Sequence, residues 1–105
     1  MAWTVRLYDL EDGQPSWPSF APVADEPYVI VEFRDLPTFD DIDFPYLCRI
    51  DPFGHTFLSD YQIDAVLAEL VRFSAVRPSP GLAALIALAR RMESPGHRYL
   101  LFNGD

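Results

Sequence analysis

The sequence predicts an α+β domain, an antiparallel-rich sheet of four to five strands with two helices packed on one face, and three observations carry that expectation. Apolar and β-branched stretches with strand-like patterning open and close the chain, two segments with helical spacing of apolar residues follow one another in its second half, and proline-rich joints separate the strands. The 105 residues fit a single domain spanning 1–105, and 50% apolar with 14% aromatic residues is the composition of a chain that buries a core.

Trp3, Val5 and Leu7 alternate with Thr4, Arg6 and Tyr8, which gives a first strand one apolar and one wetter face. Residues 9–27 hold Pro15, Pro18, Pro22 and Pro27 among acids, so a long irregular loop is expected, with Trp17 and Phe20 folding it back onto the domain. Residues 28–35 are β-branched and aromatic, with Val29, Val31 and Phe33 on one face and Glu32 and Arg34 on the other. After a second loop at 36–45, residues 46–50 begin a third strand that ends in Asp51-Pro52-Phe53-Gly54. Aspartate first, proline second and glycine fourth suit a type I turn with a glycine bulge, which predicts a tight hairpin. Its register would pair Asp51 with His55, Ile50 with Thr56, Arg49 with Phe57 and Cys48 with Leu58. Cys48, Ile50, Thr56 and Leu58 then share the core face, and Arg49, Asp51, His55 and Phe57 the other.

Ser59 and Gln62 have the form of a capping box, and Ile63, Val66, Leu67, Leu70 and Phe73 follow at helical spacing, which predicts a helix over about 60–76. Ser79, with Pro80 behind it, caps a second helix over 80–93 that closes with Arg90 and Arg91 near its negative pole. Between 82 and 89 this helix is apolar almost all round, so it either sits centrally or offers a small-residue face to a second copy as a homodimer. Residues 98–102, apolar on both faces, read as an interior strand.

Sixteen acids against eight bases, every base an arginine, leave a net charge of −8. Such a surface repels nucleic acid and anionic membrane, and the longest apolar run, 82–89, falls far short of a bilayer span. The imbalance is one-sided: residues 1–52 carry eleven acids and three arginines, residues 53–105 five of each. A field of that shape steers a basic partner. Cys48 is the single cysteine and Met1 leads directly into a strand-like stretch without a charged leader, so the expected compartment is the cytoplasm.

Few constellations carry chemistry. Cys48, Asp51 and His55 are a nucleophile, an acid and a base within eight positions, but the expected faces separate the thiol from the imidazole and make Cys48 a core residue. Arg49, Asp51 and His55 are instead expected as a polar surface trio. His55, His97, Asp60 and Asp64 lack the spacing of a transition-metal site, and Asp40, Asp41 and Asp43 lack the glycine and terminal glutamate of a calcium loop, so no metal is expected. The five glycines are scattered, which points to no phosphate-binding loop and no nucleotide cofactor. The segment 39–46 interleaves Phe39, Phe44 and Tyr46 with Asp40, Asp41 and Asp43. Aromatics supply contact area and carboxylates steer and pair with arginine, so these six residues are the candidate surface for a basic partner protein.

The hairpin Ile50-Asp51-Pro52-Phe53-Gly54-His55-Thr56, the residues Gln62, Leu67, Glu69 and Leu70, and the closing Tyr99-Leu100-Leu101-Phe102-Asn103-Gly104-Asp105 resemble a group of small bacterial proteins with an I-D-P-Y-G-D-T-like hairpin and a Y-L-x-F-x-G-D-like last strand. The resemblance covers about the last 60 residues; Phe53 and His55 stand where that group has tyrosine and aspartate. It implies a hairpin, a helix and a closing strand, and brings no activity with it. The arginine-only, alanine-rich composition is similar to that of actinobacterial proteins, and size and acidity are similar to those of immunity proteins that neutralise toxins. The leading expectation is therefore a non-catalytic binding protein of immunity or antitoxin type. The alternatives are a small enzyme built on an Asp51/His55 dyad and a homo-oligomeric structural or regulatory subunit.

Overall fold

The computed structural model describes residues 2–11, 19–22, 28–38, 40–59, 61–93 and 98–104, with the side chains at 9–11, 19–22, 93 and 98 outside that description. Strand β1 (Ala2–Glu11) is the spine. Its twofold period does what the sequence predicts: Trp3, Val5 and Leu7 are buried, Thr4 is exposed, and Arg6 and Tyr8 are half-buried. One edge of β1 pairs over Trp3 to Asp9 with β5 (Arg98–Gly104), antiparallel. The other edge is shared by β3 (Val29–Glu32), opposite residues 2–5, and β2 (Ser19–Pro22), opposite residues 8–11. Strand β4 (His55–Ser59) joins the far side of β5, giving the order β2-β1-β5-β4. The fold is thus α+β with an antiparallel sheet, as expected, and 98–102 is the interior strand its two apolar faces require.

Helix α1 (Ile63–Val76) and helix α2 (Pro80–Arg90) close the inner face of the sheet. Ile63, Val66, Leu70 and Phe73 from α1 and Leu82, Leu85, Leu88 and Ala89 from α2 meet Val5, Leu7, Val31, Leu58, Leu100 and Phe102 in one core. Each such buried aliphatic or aromatic side chain contributes about 1.5–3 kcal/mol. Ser79 caps α2 as its sequence implies, the hydroxyl accepting from the Leu82 N–H at 3.1 Å. Helix α2 stops at Arg90 and tightens into a 3-10 turn at Arg91–Glu93. Ser59 and Gln62 use half of the expected capping box: the Ser59 N–H donates to Gln62 Oε1 at 2.9 Å, and α1 begins at Ile63, later than the expected start. Among the described residues no helix is long and apolar enough to cross a membrane.

Two expectations fail. The irregular loop 9–27 is shorter than predicted, because β1 runs on to Glu11 and 19–22 pairs with it, with Pro22 on an edge strand, where proline is tolerated. The expected packing of Trp17 and Phe20 falls on side chains outside the description. The strand expected at 46–50 is a 3-10 helix, Leu47–Arg49, and no hairpin forms around Asp51. The sheet-side partner of 55–59 is β5, some 40 residues on in sequence, and the Tyr46 and Leu47 N–H groups are claimed by a carboxylate of α1. The expected strand at 28–35 is correct in its faces but ends at Glu32, after which Phe33–Asp35 forms a 3-10 turn.

Candidate docking site

The turn that was to close a hairpin instead locks the sheet to the 37–50 segment. The Asp51 carboxylate accepts from the Phe53 N–H at 2.8 Å, and the Asp51 N–H donates to Thr56 Oγ1 at 2.9 Å. The Asp51 carbonyl accepts from the Trp3 indole N–H at 2.9 Å, so the buried end of β1 holds the turn from below. The Gly104 N–H donates to the Gly54 carbonyl at 2.8 Å, and a Cβ on Gly104 would strike the Pro52 carbonyl, which makes glycine the residue that fits there. This arrangement spends Asp51 on backbone. His55 is exposed at the start of β4 opposite Asn103, Arg49 is exposed on the 3-10 helix, and among the described residues no hydrogen bond or ion pair joins Arg49, Asp51 and His55. All three side chains are exposed, and the cross-strand register expected to set Asp51 opposite His55 with Arg49 beside them is absent, because no hairpin forms there.

The acidic segment is held by packing from α1. Glu69, 4% exposed, accepts from the Tyr46 N–H at 3.0 and 3.2 Å through its two oxygens and from the Leu47 N–H at 3.1 Å, meeting the first donors of the 3-10 helix. Phe44 lies edge-on to Phe73 with ring centroids 5.2 Å apart, and Arg72 covers its other side at 4.8 Å while donating to the Asp43 carbonyl at 2.8 Å. Phe44 is therefore an internal anchor more than a contact residue. Tyr46 is 37% exposed, and Phe39 lies outside the described residues.

What the anchors leave outside is the acidic turn itself. Asp40 and Asp43 are exposed, Asp41 is half-buried, and Ile42 between them is 88% exposed. Asp40 Oδ1 accepts from the Thr38 hydroxyl at 2.6 Å and Asp41 Oδ1 from the Asp43 N–H at 3.2 Å, which shapes the turn. Among the described residues no arginine forms an ion pair with these three carboxylates; the described pair joins Arg34 and Glu32 on one 3-10 turn. Among those residues there is also no group of three histidine, cysteine or acidic side chains placed to hold a metal ion.

Cys48 is not the core residue its expected strand implied. It is half-buried, its Sγ–H donates to the Pro45 carbonyl at 3.6 Å, and it lines two adjoining hollows. The sequence reading also missed Glu69. Its signal was present: position 69 follows Val66 by three and precedes Phe73 by four, on the buried stripe of α1, where an acid needs a partner. No family model, curated protein or solved structure matches the chain.

Proposed function

We propose that this chain is a non-catalytic, cytoplasmic protein-binding module of immunity or antitoxin type, similar to the small bacterial group whose Ile-Asp-Pro turn sequence and last-strand motif it resembles. It docks a basic protein partner through the segment 39–46. Asp40, Asp41 and Asp43 steer and pair with cationic side chains, and Ile42 supplies the apolar contact between them. The observation that supports this reading is an acidic turn that forms no ion pair with arginine among the described residues: Glu69 and Phe44 tie its C-terminal flank to α1 while the carboxylates of Asp40 and Asp43 stay exposed. Desolvating such a turn costs little reorganisation on binding.

The test is affinity capture from the source cell's lysate at low and at high salt, with the parent chain and with Asp40→Asn/Asp41→Asn/Asp43→Asn. A basic protein is expected on the parent column at low salt and on neither column at high salt. Its association rate with the triple variant should fall about tenfold, more than dissociation rises. Capture that ignores both salt and the three substitutions would overturn the reading. Self-association through α2 is a second reading, favoured by the exposure of Ala83, Ala84 and Ala87 on that helix. A mass by light scattering that stays monomeric as concentration rises would remove it.

A further inference from the structure

Beside the acidic turn lies a groove of about 430 Å³, a volume suited to small ligands. Its walls come from the start of β1, the turn after β3 and the approach to Asp51: Trp3, Phe33, Pro37, Ile50 and Pro52. Trp3 and Ile50 are each 4% exposed, and the one polar atom of the indole is already spent on the Asp51 carbonyl, so the floor presents carbon. Polarity is confined to a rim that includes Thr38, Asp40 and Cys48. Asp40 and Cys48 also line the neighbouring hollow of about 330 Å³, where Asp41 and the exposed Ile42 join them. An apolar slot and an acidic hollow thus meet at the same two residues. Arg49 also lines that hollow, and among the described residues it forms no ion pair with Asp40 or Asp41.

We propose that this groove receives a bulky apolar side chain carried on an arginine-rich segment of the partner, with flanking guanidinium groups falling on Asp40 and Asp41. The inference rests on the docking reading above and narrows it to an apolar anchor between cations. Charge complementarity selects this occupant: an acidic or neutral segment seated in the slot would bring no counter-charge to Asp40 on its rim or to Asp41 in the adjoining hollow, whereas arginine can pair with both in bidentate fashion.

Cys48 is the single thiol and stands on the shared rim, so its alkylation by N-ethylmaleimide reports occupancy of the groove. The probes are three amidated pentapeptides: tryptophan between two pairs of arginines, glycine in place of that tryptophan, and glutamates in place of those arginines. The tryptophan–arginine peptide should slow alkylation about tenfold at about ten times its dissociation constant. The glycine peptide should need about tenfold more to do the same, the glutamate peptide should not protect, and the Asp40→Asn/Asp41→Asn/Asp43→Asn variant should lose most of the protection. Equal protection by the tryptophan and glycine peptides would overturn the groove while leaving acidic docking standing. Protection by the glutamate peptide, or undiminished protection in the triple variant, would overturn the charge selection and weigh against acidic docking as well. Absence of protection by all three would overturn the groove, and the capture experiment would then decide the docking reading independently.

Discussion

Before α2 the Leu82 N–H finds its acceptor three residues back, in the Ser79 hydroxyl at 3.1 Å; before the 3-10 helix at 47–49 the Tyr46 and Leu47 N–H groups find theirs in Glu69, more than 20 residues ahead. The physical need is the same at both joints, because the first donors of any helix have no partner within it. What differs is the distance along the chain over which the need is met. A serine followed by proline advertises itself, since both partners sit within one turn. A glutamate inside an apolar helical stripe does not name the donors it will meet. The 3-10 helix that follows the acidic turn is thus held by a contact made across the fold, and the C-terminal end of the acidic segment is tied to α1.

Substitution at the long-range joint should have the largest effect. Glu69→Ala strands two N–H donors, one of them buried, and should cost about 3 kcal/mol in urea denaturation, with faster amide exchange at Tyr46 and Leu47. Glu69→Gln keeps one acceptor oxygen and should lose about half of that. Ser79→Ala should cost about 1 kcal/mol, with exchange rising only in the first turn of α2. If Glu69→Ala proves no more costly than Ser79→Ala, the two joints are not the unequal pair their geometry implies. The smallest effect belongs to the acidic turn ahead of the anchors: Asp40→Asn/Asp41→Asn/Asp43→Asn keeps the acceptor oxygens of the turn and should change stability by less than about 0.5 kcal/mol. A larger loss would mean that the carboxylates serve the fold more than a partner.

Elements written in local pattern were legible from the residues. The alternation at 3–7, the helical spacing at 63–73, the Ser79-Pro80 start and the doubly apolar 98–102 each appear where expected, because burial on one face or two imposes a period on the sequence. The Asp51 to Gly54 turn was legible as a turn, yet its neighbours were misread. A tight turn between two apolar runs looks the same whether the runs pair with each other or with distant segments. Here Thr56 closes the turn through its hydroxyl, and β4 pairs with β5.

By itself, the order of residues determined the fold class, the inward faces of β1, β3 and α1, the capped start of α2, and the uneven spread of charge, since periodicity, capping and composition act over a few neighbours. Only the tertiary structure decided that 46–50 coils, that Glu69 holds it, that β4 pairs with β5 and not with 46–50, and that Asp40 and Cys48 join an apolar slot to an acidic hollow. Those outcomes depend on which distant groups win the same backbone donors and the same strand edge, and that competition is settled in space, after the local patterns have been satisfied.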